Sequence, residues 1–130
     1  MVVNNVWQHS SRMPAATRCS AFATVAACAG AAVIYRVVEG QPPEVVARGF
    51  TTILDFAFDH DQALYVLQYS SAPFLNGPGS IVRIASDGTR TTITSGLTHP
   101  TSLLLGTHGT LYLTNNGDKA AIGEVLRVDQ

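Results

Sequence analysis

Asp59-His60-Asp61 sets three metal-capable side chains in a row. Neighbouring residues of a turning chain splay apart, and the run lacks the spaced oxygen ligands and glycine of a calcium-binding loop, so it reads as a turn. His99 and His108 fall in connecting segments, and His60 and His108 are not at matching positions of the repeat described below. Asn115-Asn116-Gly117-Asp118 follows an apolar run and could present amides to a ligand, although Asn and Gly also favour left-handed turns. Near the apolar strands the oxygen-bearing side chains are Asp55, Gln68, Asn115 and Asn116. Of these, Asp55, Asn115 and Asn116 are the candidate ligand-binding residues. Serine, histidine and aspartate are all present, but no nucleophile elbow, phosphate loop or zinc motif surrounds them. No catalytic residue, metal site or cofactor is therefore assigned.

What must position these residues is a repeat. Arg36, Gly49, Thr51 and Leu64-Tyr65-Val66 return 47 positions later as Arg83, Gly96, Thr98 and Leu111-Tyr112-Leu113. Gly79-Ser80-Ile81-Val82-Arg83-Ile84 then returns at a step of 44 as Gly123-Glu124-Val125-Leu126-Arg127-Val128. Strand signals arrive every 8–12 residues, rich in β-branched and aromatic types and separated by turn chemistry such as Ser86-Asp87-Gly88-Thr89 and Gly40-Gln41-Pro42-Pro43. A period in the forties built of short strands predicts β-propeller blades. Leu54–Phe58, Leu64–Leu67, Ile81–Ala85 and Arg90–Thr94 form one whole blade. Val33–Val38 and Val45–Ala47 belong to a preceding one, and Ser102–Leu105, Tyr112–Thr114 and Val125–Val128 to a following one. The fold class is all-β: a propeller fragment of about two four-stranded antiparallel blades over residues 32–130. Tyr65 and Tyr112 should share one environment. Phe56, Phe58, Leu103 and Leu105 should stay partly exposed on open blade faces, inviting self-association.

Composition narrows the function classes. Only 13% of residues are charged and the net charge is −1, with basic residues scattered rather than clustered, so neither nucleic acid nor an anionic membrane is an expected partner. Residues 1–31 stand outside the repeat. Arg18 followed by the apolar run Cys19–Ala29, with Ala-x-Ala patterns at 27–29 and 29–31, is signal-like. Three readings stay open for this segment: an export signal, the by-product of a misplaced start upstream of a longer frame, or an ordinary packed terminus. Cys19 and Cys28 lack zinc-ribbon or redox spacing. They read as small apolar residues.

Gly49-Phe50-Thr51, Asp55-Phe56-Ala57-Phe58-Asp59, Leu64-Tyr65-Val66-Leu67, Gly79-Ser80-Ile81-Val82-Arg83-Ile84 and Asp87-Gly88-Thr89 together resemble the ScyD/ScyE family. So do Gly109-Thr110-Leu111-Tyr112-Leu113-Thr114-Asn115-Asn116-Gly117 and the ending Gly123-Glu124-Val125-Leu126-Arg127-Val128. The resemblance spans residues 32–130. It departs from the family at Gln62, where a turn glycine is usual, and at Ser102, where glycine follows Pro-Thr. It implies a secreted, NHL-like propeller of which this is a C-terminal part. The expected function is that of a non-enzymatic, exported binding or scaffold module, with a small molecule or a protein bound at a propeller face. The alternative is a fragment of a lactonase- or lyase-like propeller enzyme with a central metal site. Against it, Asp55 aligns with Ser102 and Gln68 with Asn115, so no carboxylate recurs at the inner strands.

Overall fold

A computed structural model describes residues 2–4 and 29–130. Cys19, Cys28 and most of the signal-like segment lie outside the described residues. The strands are β1 (Val2–Asn4), β2 (Ala32–Arg36), β3 (Glu44–Phe50), β4 (Thr52–Phe58), β5 (Leu64–Ser70), β6 (Gly79–Ile84), β7 (Arg90–Leu97), β8 (Ser102–Leu105), β9 (Leu111–Asn115) and β10 (Glu124–Val128). They make three antiparallel sheets, ordered β1-β2-β3, β4-β5-β6-β7 and β8-β9-β10. The chain is all-β, with no α-helix among the described residues. No helix there is long and apolar enough to cross a membrane.

Each hairpin follows from its turn residues. At Ser86-Asp87-Gly88-Thr89 the Gly88 backbone sits at φ +85°, which costs glycine nothing, and Asp87 Oδ1 accepts the Thr89 N–H at 2.8 Å. The β4–β5 turn places Gln62 at φ +63°, and the matching residue of the β8–β9 turn is Gly109 at +79°. The repeat therefore keeps the backbone shape even where the sequence gives up the glycine suited to it.

The middle sheet is buried on both faces. Leu64 and Val66 of β5, with Ile53 and Ile84, pack against Ile34, Ala47 and Phe50 of the first sheet. Tyr65 and Leu67, pointing the opposite way by strand alternation, pack with Ile81 and Leu97 against Leu103, Leu111 and Leu113 of the third. Each such aliphatic side chain taken out of water stabilises by about 1.5–3 kcal/mol. Polar ties reinforce the stack. Asp55 Oδ2 accepts the Leu103 N–H at 2.8 Å, and Arg90 Nη2 donates to the Arg48 carbonyl at 2.7 Å. At Gly79 a Cβ would sit 2.5 Å from Pro100, so the close approach of the connection between β7 and β8 requires glycine there.

The two tyrosines occupy one register position in different surroundings. Tyr65 pairs with Ala57 and Arg83, and Tyr112 with Leu104 and Arg127. Tyr65 is 3% exposed because the third sheet covers it, whereas Tyr112 is 38% exposed. Of the four residues expected to stay partly exposed, Phe58 is exposed and Phe56 and Leu105 are half-buried at the margins of the two cores, whereas Leu103 needs correction, being buried between sheets. The apolar side chains left open on the third sheet are instead Leu104, Tyr112 and Val125.

Leu67, fully buried, should lose about 2–5 kcal/mol of stability on truncation in Leu67→Ala. Phe74→Ser, in an exposed loop, should stay within about 0.5 kcal/mol of the parent. Urea unfolding of both variants decides the matter, since equal midpoints would mean that β5 is not sandwiched.

Candidate functional site

Of the residues singled out from sequence, Gln68, Asn115 and Asn116 lie at the end of the sheets where β5 and β9 finish, and Asp55 lies in the middle of β4, paired with Leu67. Gln68 Oε1 accepts the Thr51 N–H at 2.9 Å while its Nε2 donates to Ser80 Oγ at 3.2 Å. One repeat later Asn115 Oδ1 accepts the Thr98 N–H at 2.8 Å and its Nδ2 donates to Glu124 Oε1 at 2.8 Å. The same amide clamp thus ties the incoming connection and the third strand of each sheet to the end of its second strand. Asn116, at φ +54°, donates its N–H to the Thr98 carbonyl at 2.7 Å and shapes the turn after β9. Asp55, besides accepting from Leu103, takes the Phe56 N–H at 2.9 Å and the Ser102 hydroxyl at 3.3 Å. The polar side-chain groups of Asp55 and Asn115 are occupied by the protein itself.

Beside the clamp stands a cluster that the repeat does not generate. The Tyr69 ring stacks on His99 with centroids 4.7 Å apart and planes 10° from parallel. The Tyr69 hydroxyl donates to Asp118 Oδ2 at 3.0 Å, and His99 Nδ1 lies 2.7 Å from the same oxygen, close but not aligned as a directed hydrogen bond. His99 holds a left-handed backbone at φ +45°. Burial, together with the hydrogen bond to Asp118, raises the Tyr69 hydroxyl above its ordinary pKa. Desolvation pushes Asp118 upward, but the Tyr69 hydrogen bond and the His99 charge outweigh it and hold the carboxyl below the usual range. Sequence comparison of the units carries a signal for this cluster: Tyr69 replaces the register of Asn116, and His99 that of Thr52. The pairing itself is invisible from sequence, because its members come from a strand end and two separate connections.

At the opposite end, the β4–β5 and β8–β9 turns frame a groove of about 790 Å³ lined by Asp59, His60, Asp61, Arg83, His108 and Gln130, among others. Its floor is a polar chain. Arg83 Nε donates to the Tyr65 hydroxyl at 3.1 Å, which donates to Gln130 Oε1 at 3.0 Å. Arg83 also lies 3.8 Å from Asp59. His60 and His108, set apart in sequence, share this groove. Among the described residues no three metal-ligating side chains converge. Neither do the hydrogen bonds there join a serine or cysteine to His99. Both ends offer hydrogen-bonding groups at the surface.

No family model, curated protein or solved structure matches the chain.

Removing the clamp should leave a backbone N–H unpaired. Gln68→Leu strands the buried Thr51 N–H and should cost about 1–3 kcal/mol, and Asn115→Leu should cost less because the Thr98 N–H is only partly buried. Thermal unfolding with the order reversed would refute this assignment.

The Tyr69–Asp118 pair fixes two signs of pH dependence. The lowered Asp118 contributes stability that is present above the ordinary carboxylate pKa and lost as pH falls through its folded value. The raised Tyr69 contributes stability that is present below pH 10.0 and lost as pH rises through its folded value. Ultraviolet titration should show one of the four tyrosines ionising late, and that step should vanish in Tyr69→Phe.

Proposed function

We propose that this chain is a propeller-type binding and scaffold module of the ScyD/ScyE kind, exported and non-catalytic, with the ends of its sheets presented to a small molecule or a protein. The observation that carries the reading is the stacking of three meander sheets in one repeated relation. The face that the first sheet turns to the second is built by Ile34, Ala47 and Phe50, and their repeat partners Ile81, Thr94 and Leu97 belong to the sheet that packs on the third. Such a stack leaves its turns and connections at the two ends, where the Tyr69–His99–Asp118 cluster and the groove beside Arg83 lie. Both bear aromatic, amide and charged groups suited to a polar ligand. Export rests on the signal-like composition of residues 1–31.

Calorimetric titration with Ca²⁺ and with Zn²⁺ tests the non-catalytic reading. Neither ion should bind with a Kd below about 1 μM, since a tight site needs several oxygen or nitrogen ligands converging on one point. Tight binding that disappears in Asp61→Asn or Asp118→Asn, accompanied by hydrolysis of a lactone probe, would put the metal-dependent enzyme in its place.

A further inference from the structure

The third sheet turns toward solvent the same face that the second sheet buries. On the second sheet that face is built from Ala57, Tyr65, Leu67 and Ile81, and the third sheet covers it. Their counterparts are Leu104, Tyr112, Thr114 and Val125, of which Leu104 is 65% and Val125 70% exposed. Nothing among the described residues covers them.

The complementary surface lies at the other end of the stack. The third sheet packs on the second partly through Leu126 and Val128. Two steps back along the repeat these positions are Val82 and Ile84, then Tyr35 and Val37. Val82 and Ile84 in turn pack against the first sheet. Tyr35 pairs with Val45 on the face of the first sheet turned away from the second, and Val37 beside it is 48% exposed. Among the described residues no sheet covers either face, and the two are thus the halves of an interface that the chain already makes twice within itself.

We propose that a second copy of this chain occupies both open faces head to tail: Leu104, Tyr112 and Val125 of one copy pack on Tyr35 and Val37 of the other, and the reverse. The proposal rests on the propeller reading. Unlike faces meeting in this way form a ring when the rotation closes and a filament when it does not. Two copies supply six sheets, within the roughly four to eight that close a propeller. The occupant is a copy of this chain because the internal sheet-to-sheet contact is the template for the pairing, down to register.

Sedimentation of the full chain should show a species of twice 13.8 kDa. Val125→Asp and Val37→Asp should each open the ring, giving monomers that persist at concentrations where the parent is dimeric. Mixing the two variants should restore a dimer, because one copy keeps an intact third-sheet face and the other an intact first-sheet face. Hydrogen exchange confirms in each variant that the β5 amides remain protected, so that loss of the dimer is not loss of the fold. A parent that stays monomeric, one whose mass grows without limit as filaments do, or a mixture of variants that fails to pair would each overturn the ring. A monomer with protected β5 amides leaves the stacked-sheet reading intact. Loss of that protection in the parent would remove both.

Discussion

Everything described above depends on one strand having no wet side. From Leu64 to Gln68 every residue of β5 is buried, with alternate side chains committed to different neighbours. A strand of that kind exists only if a sheet is supplied on each face, and the flanking units supply them. Placing ions there would require pairing or neutralising each one, which accounts for a chain only 13% charged. The charged residues that strands do carry, such as Arg48, Arg90 and Arg127, lie exposed. Strain gathers in the turns, since Gln62, His99, His108 and Asn116 all hold left-handed backbones in connections rather than in strands.

Sequence reading recovered what a period encodes. The four strands of the middle sheet, the Ser86–Thr89 hairpin and the three strands of the last sheet lie where alternation and turn chemistry put them. The shift of Tyr112 from a buried to an open environment was not legible, because repetition specifies a residue's place in its own sheet and says nothing of whether a neighbour stands beyond it. The error at Leu103 has the same origin. The repeat does not say which face of each strand meets the next unit, and this side chain turns inward.

The site was legible in a different sense. Gln68 and Asn115 were recognised as matching positions and weighed as ligands. Their carbonyl and amino groups are instead occupied by the connection before the sheet and the strand beside it. A side chain that recurs with every unit is more often part of the joinery than of a binding site. The groups free to differ are those the repeat leaves unspecified, which is why Tyr69, His99 and Asp118 form the least repetitive cluster of the molecule.

The pairing of β1 with β2 carries a consequence for biosynthesis. Val2, Val3 and Asn4 lie antiparallel to Tyr35, Ile34 and Val33, so the very start of the chain occupies a seat in the first sheet. A leader removed after Ala31 would take that strand with it. Without that strand, a row of backbone donors and acceptors along β2 would be unpaired, an edge suited to capturing an extended segment from elsewhere. The first residues of the chain thus decide whether that margin of the sheet is sealed or adhesive.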